Sequence, residues 1–168
     1  MSNSRYYWFC DYQKYPDIVW FGTEEGFGTG RSNTSKMVNY LYKSPVYENV
    51  WVEGSGSTEG YYEQQVTDWK YVDIWSTWDV WKQLKMSTRN GWFVPSRGEW
   101  SAFGANFEIT KYNYNSTFGL NYYYLSSSQD SARTTNAWHA CFYNGYMHHK
   151  SESCDLNDLN YVRLSTTF

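Results

Sequence analysis

Between Ala137 and Lys150 the chain carries a pattern that dictates its own geometry. Asn144-Gly145 separates Ala137-Trp138-His139-Ala140-Cys141-Phe142-Tyr143 from Tyr146-Met147-His148-His149-Lys150. Asn-Gly between two strand-like runs is a strong hairpin signal, because both positions accept the positive φ of a type I′ turn. A two-residue loop sets the register: Phe142 faces Met147, Cys141 faces His148 and His139 faces Lys150. Side chains alternate across a strand. Trp138, Ala140, Phe142 and Met147 therefore share an apolar face fit for a core, while His139, Cys141, Tyr143, Tyr146, His148 and Lys150 share the other. Tyr offers large contact area at small entropic cost, so the second face reads as a display for a partner. An ordinary solvated strand face is the plain alternative. His149 falls on the apolar side and is expected near a wet edge.

The rest of the composition limits what such a hairpin belongs to. The 168 residues fit one domain, 1–168. Aromatics make up 22% of the chain, which excludes disorder, whose signature is a shortage of rings. The net charge is −3 with Lys and Arg scattered, so a nucleic-acid partner, which calls for a basic stripe, is not expected. No apolar run approaches the ~20 residues of a membrane helix, and no membrane insertion is expected. Cys10, Cys141 and Cys154 cannot all pair internally, and no basic-then-apolar leader follows Met1. Cytosolic synthesis with free thiols is the simple reading, and a virion-associated protein fits equally.

All three His lie between positions 139 and 149, close to Cys141 and Cys154. No ligand spacing completes four positions, so no metal and no cofactor are expected. The glycines from Gly22 to Gly30 lack the Gly-Lys-Ser/Thr of a phosphate loop. Absent any nucleophile elbow, catalytic triad order or paired-carboxylate motif, the chain reads as non-enzymatic.

Three helices are legible. One spans about Ser35 to Tyr42 on Met37, Val38 and Leu41. A second follows Ser76, where Ser76-Thr77-Trp78-Asp79 is a weak capping box. A third follows Ser96, where Ser96-Arg97-Gly98-Glu99 is a full one and Trp100, Phe103 and Phe107 form a stripe to bury. Tyr6–Phe9, Ile18–Phe21 and Tyr161–Leu164 are strand-like, and residues 53–65 read as a flexible stretch. The polar segment 129–160 reads as short strands joined by loops.

Five segments occur in order: Gly91-Trp92-Phe93-Val94-Pro95-Ser96-Arg97-Gly98-Glu99-Trp100, Ser126-Ser127-Ser128-Gln129, Asn136-Ala137-Trp138, Phe142-Tyr143-Asn144-Gly145 and Tyr161-Val162-Arg163-Leu164. In these the chain resembles the variable proteins of diversity-generating retroelements, in their phage and gut-bacterial branch. Leu125 departs from the pattern, which usually has Trp there. The resemblance implies an α+β C-type lectin fold with two main helices and a twisted antiparallel sheet that bears a ligand-binding face. It also implies that about residues 120–168 are rewritten from a template whose adenines are corrupted. An AAC codon then yields Tyr, His, Ser, Asp, Cys, Leu, Thr, Ala or Arg among others, but never Trp, Met, Lys, Glu or Gln.

On that basis the ligand-binding positions are Asp130, Ser131, Arg133, Thr134 and Thr135 before the hairpin. His139, Cys141, Tyr143, Tyr146 and His148 lie on it, and Ser151, Ser153, Asp155, Asn157 and Asp158 follow it. Gln129, Trp138, Met147, Lys150 and Glu152 would be fixed. The implied partner is a protein or glycan ligand on a cell surface, as for a receptor-binding protein, and a homo-oligomer is compatible with the sequence. A fixed-specificity, lectin-like carbohydrate-binding module is the rival, although the Glu-Pro-Asn and Trp-Asn-Asp signatures of calcium-dependent lectins are absent.

Overall fold

In the computed structural model, which describes residues 4–18, 20–87, 91–142 and 150–166, the elements run in chain order as follows. They are β1 (Arg5–Tyr6), α1 (Gly30–Val38), β2 (Tyr42–Val52), β3 (Tyr61–Val72), α2 (Val80–Met86), α3 (Arg97–Asn106), β4 (Tyr123–Gln129), β5 (Asn136–Cys141), β6 (Lys150–Asp155) and β7 (Asn160–Tyr161). The class is α+β. The chain divides into two compact units, residues 1–39 with 75–168, and residues 40–74. No helix among the described residues is long and apolar enough to cross a membrane.

The Ser96 box forms as its sequence dictates. Ser96 Oγ accepts from Glu99 N at 3.2 Å and Glu99 Oε2 accepts from Ser96 N at 2.8 Å. The second carboxylate oxygen of Glu99 accepts from Gly30 N at 3.0 Å, the first residue of α1. One carboxylate thus meets the positive ends of two helices. A Cβ on Gly30 would collide with that carboxylate and come within 2.9 Å of Ser96 N and Val94 O, so glycine is what admits the contact. This anchor explains why α1 begins at Gly30 and ends at Val38, earlier than the expected span from Ser35 to Tyr42; Leu41 is exposed instead of packed. Glu99→Ala removes acceptors from both helices and should lower stability by about 2 kcal/mol, against about 1 for Ser96→Ala. Urea unfolding of the two variants checks this; equal losses would mean that the Gly30 contact contributes nothing.

The Ser76 box works in reverse. Asp79 occupies the N-cap position of α2, and its carboxylate accepts from Ser76 N and Cys10 N, both at 2.9 Å. Burial pushes its pKa up to about 6. Phe107, expected in the α3 stripe, lies just past the helix end and is exposed, its ring tilted against Phe103 at 5.2 Å.

The main sheet has the order β1-β7-β4-β5-β6. Its pairs are antiparallel except β4 with β7, which is parallel. Trp100 from α3 packs on one face with Ile109, Leu120, Tyr124, Ala140 and Phe142. The Trp100 and Tyr124 rings stack at 5.2 Å, and Phe142 meets Trp100 edge-on at 6.0 Å. Five more rings, Trp8, Phe9, Phe21, Trp75 and Trp81, pack mostly edge-to-face, as at Trp8–Trp81 (5.3 Å, 87°) and Phe9–Trp75 (5.0 Å, 79°). Such edge contacts add about 0.5–1.5 kcal/mol each beyond area burial.

The Ser126-Ser127-Ser128 run is a bulge. The β4–β5 register jumps from Leu125–His139 to Gln129–Ala137, so three serines stand opposite Trp138 alone. All three are buried. Ser126 Oγ donates to Trp138 O at 2.6 Å, Ser127 N donates to Pro95 O at 2.9 Å and Ser128 Oγ donates to Glu24 O at 2.7 Å. Small hydroxylated residues suit a place where backbone must be buried and still satisfied.

Residues 53–60 are the connection between β2 and β3, and the expected flexible stretch 53–65 shortens because β3 begins at Tyr61.

Candidate ligand-binding site

The β5–β6 pair carries the segment from which a binding face was expected, and its register differs from the two-residue-turn rule. Cys141 pairs with Lys150 and His139 with Glu152, a shift of two residues along one strand. A shift of two preserves the faces, so odd residues of β5 still stand with even residues of β6. Residues 143–149, among them Tyr143, Tyr146 and His148, lie outside the described residues.

The outward placement of His139 and Cys141 is corrected. Both are buried, at 1% and 0% exposure. β5 is an inner strand between β4 and β6, and the connection 156–159 must cross β5 and β4 to reach β7. Tyr123 and Cys154 share a cavity of about 300 Å³ with Asp158, Leu159 and Asn160, which places that connection over the odd face of β5. A hairpin alone has one face for water; here both faces of β5 are covered. Burial lowers the His139 pKa to about 4 and keeps its imidazole neutral at physiological pH. Its Nδ1 lies 3.0 Å from Ala137 O, and Nε2 has no partner among the described residues. Tyr123 donates its hydroxyl to Glu152 Oε2 at 2.7 Å on the same face, and burial raises its pKa. Cys154 is pushed up to about 12, first by burial and then by Asp158, so it is no ready thiolate.

On the opposite face Ala140 and Phe142 are buried as expected. Trp138 is half-buried, with the Arg97 guanidinium 3.5 Å from its ring centroid. Arg97 also pairs with Glu25 at 3.0 Å. The cation therefore covers the indole instead of a protein core.

The expected positions that do meet solvent gather at one end of the sheet. Ser131, Arg133 and Thr135 are exposed in the β4–β5 loop, and Asp155, Asn157 and Asp158 are exposed where β6 ends. Thr134, Ser151 and Ser153 are half-buried. Asp130 is buried, a second correction, because it builds the loop. Its Oδ1 accepts from Ala132 N at 3.0 Å and its Oδ2 from Ser153 Oγ at 2.6 Å. The Asn136 carboxamide sits between the Ser153 hydroxyl at 3.1 Å and the Asp155 carboxylate at 2.9 Å. Thr135 O accepts from Leu156 N at 2.9 Å, tying the two loops together. Gln129 closes the frame: its Oε1 accepts from Phe21 N at 2.9 Å and its Nε2 donates to Thr134 O at 2.6 Å. Burial first, and Asp155 second, raise the Asp158 pKa.

The structure thus joins loop 131–135 to 155–158 at the end of β5–β6 where Asn136 pairs with Asp155, opposite the end where Cys141 pairs with Lys150. Among the described residues no cluster of three His, Cys, Asp or Glu could hold a metal. Sequence reasoning gave no role to residues 40–74, where exposed rings are densest; the alternation of Tyr47, Asn49 and Trp51 with Glu48 and Val50 is the signal that could have found that hairpin. In comparisons with known proteins the chain matches no family model, no curated protein and no solved structure.

Proposed function

We propose that this chain is a non-enzymatic ligand-binding protein of the retroelement-diversified class, built on a C-type lectin fold, and that its ligand is a protein or glycan on a cell surface. One observation carries the reading: every exposed residue of the joined loops lies within the repertoire of a corrupted AAC codon. Ser131, Ala132, Arg133, Thr135, Asp155, Asn157 and Asp158 are exposed, and each is a residue that a corrupted AAC codon can encode. Gln129, Trp138 and Glu152, which such a codon cannot encode, are held by hydrogen bonds or a stacked cation. A protein rewritten in this way must keep its frame while its exposed residues change.

The working groups are the Arg133 guanidinium, the carboxylates of Asp155 and Asp158, the Asn157 amide and the hydroxyls of Ser131, Thr134 and Thr135. They supply donors and acceptors of both charge signs over a frame already ordered, which reduces the entropy lost on binding. Tyr143, Tyr146 and His148 stay separate ligand-binding candidates on sequence grounds alone; His139 and Cys141 leave the site.

Sequencing the gene and its flanks in several isolates tests this. Substitutions should concentrate at codons 131–135 and 155–158, each matching an adenine in a neighbouring near-copy of codons 120–168. Gln129, Trp138 and Glu152 should stay constant. A locus with no such copy, or substitutions spread evenly along the gene, would sink the reading.

A further inference from the structure

The β2–β3 hairpin presents one continuous ring-bearing face to solvent. Its register runs from Tyr42–Val72 to Val46–Asp68, then shifts, and continues from Tyr47–Val66 to Val52–Tyr61. The extra residue, Thr67, is a bulge. Along β3 the residues of one face change parity, with Tyr62, Gln64 and Val66 at even positions and Trp69 and Tyr71 at odd ones. The bulge restores the phase. With it, Lys43, Pro45, Tyr47, Asn49 and Trp51 of β2 share a face with Tyr71, Trp69, Val66, Gln64 and Tyr62 of β3. The other face mixes Tyr42, Val46, Val50, Val52, Tyr61 and Val72 with Lys70, Asp68, Glu48, Gln65 and Glu63. The face with five of the rings is bare: Tyr47, Trp51, Tyr62, Trp69 and Tyr71 are 54%, 49%, 70%, 51% and 67% exposed.

We infer that this face packs against the same face of a second copy of the chain, as an isologous dimer interface. A lone two-stranded hairpin is marginal in water, because it has no layer to bury its apolar side against. The cover it needs must be present whenever the chain is folded, and a second copy meets that condition better than an occasional ligand. The area also fits. Five half-exposed rings offer roughly 600 Å². With Pro45, Val66, Asn49 and Gln64 the stripe reaches the ~800 Å² that each partner of a standard interface contributes. Charge agrees as well. A two-fold axis along the Tyr47–Val66 row, lying between the two faces, runs the hairpins antiparallel and sets Lys43, now 5.1 Å from the Trp69 ring centroid, over the second copy's Trp51, whose Nε1 donates to the Glu53 carboxylate at 3.1 Å. A closed two-fold contact uses the whole stripe of both copies, so the pair does not grow further through it.

Sedimentation velocity of the full chain from about 1 to 100 μM tests the inference. The wild type should sediment at twice its 20.0 kDa mass. Trp69→Glu and Tyr62→Glu should sediment as monomers with unchanged far-ultraviolet circular dichroism, whereas Lys70→Glu on the opposite face should stay dimeric. Amide exchange needs no variant: protection in 42–72 should rise with wild-type concentration. A wild-type monomer at 100 μM, a dimeric Trp69→Glu or concentration-independent exchange in the hairpin overturns the proposal. A monomer whose hairpin rings are quenched by a soluble glycan would instead assign the face to carbohydrate. Failure here leaves the loop site untouched, since that site is tested by codon variation.

Discussion

Phe142→Ala should lower the unfolding free energy by about 4 kcal/mol, in the range found for large-to-small changes at packed aromatic positions. Phe142 is fully buried at the end of β5. Its ring meets Trp100 of α3 at 6.0 Å, Tyr124 of β4 at 6.2 Å and Tyr114 at 6.4 Å. Removing it therefore takes a partner from three rings on three segments, and large flat neighbours held by their own hydrogen bonds collapse poorly into the space. Trp100 is fixed by its Nε1 bond to Leu125 O at 3.2 Å, and Tyr124 by its hydroxyl accepting from Asn121 N at 2.9 Å. The expected consequence is a melting temperature roughly 10–15 °C lower. Phe142→Leu, which keeps most of the volume, should lose well under half as much. Urea titrations of both variants would show it. A loss below about 1 kcal/mol for Phe142→Ala would mean that the three rings close over the gap and that the core is less rigid than its contacts imply.

What the sequence disclosed was local, and what it hid was set by distant parts of the chain. The Ser96–Glu99 box is a four-residue interaction, so its residues suffice to locate α3. The even face of β5 was also legible, because Ala140 and Phe142 need only a strand and its alternation to turn inward together. Their neighbours His139 and Cys141 were misplaced for a reason no strand pattern contains: the connection 156–159 crosses that face on its way to β7. Crossover connections are a property of sheet order, and the two-residue β7 has little sequence of its own to announce it. Asp130 was read as a free loop residue, yet its bond to Ser153 links positions 23 apart. The β2–β3 hairpin escaped notice because the bulge at Thr67 breaks the period of two midway along β3. The polar stretches 131–135 and 155–158 were read as loop, and all of their residues but Thr134 and Leu156 are exposed there.

His139 and Asp79 give the unit opposite pH dependences over one window, and separating them gives the sharpest solution test of the buried odd face. The His139 pKa falls from the usual 6.5 to about 4 through burial. The unfolded chain therefore takes up a proton more readily than the folded one between those values. Stability from this group is complete above pH 6.5 and drains away as the pH falls towards 4, by about 3 kcal/mol. Asp79 runs the other way. Burial raises its pKa from 3.8 to about 6, so the folded chain holds the proton more tightly. Its contribution is complete below pH 3.8 and is lost as the pH rises through 6, also by about 3 kcal/mol. In the wild type the two slopes oppose each other. His139→Leu should expose the Asp79 slope, so that the variant gains stability relative to wild type as the pH falls from 6.5 to 4.5. Asp79→Asn should expose the His139 slope and lose stability over the same interval, whatever its offset at pH 7 from weakened capping. Differences between each variant and wild type at matched pH cancel the other carboxylates. Urea midpoints at four or five pH values suffice. Should the His139→Leu curve run parallel to wild type, His139 would titrate in contact with water, its burial under the β6–β7 connection would be wrong, and the odd face of β5 would return to the candidate binding surface.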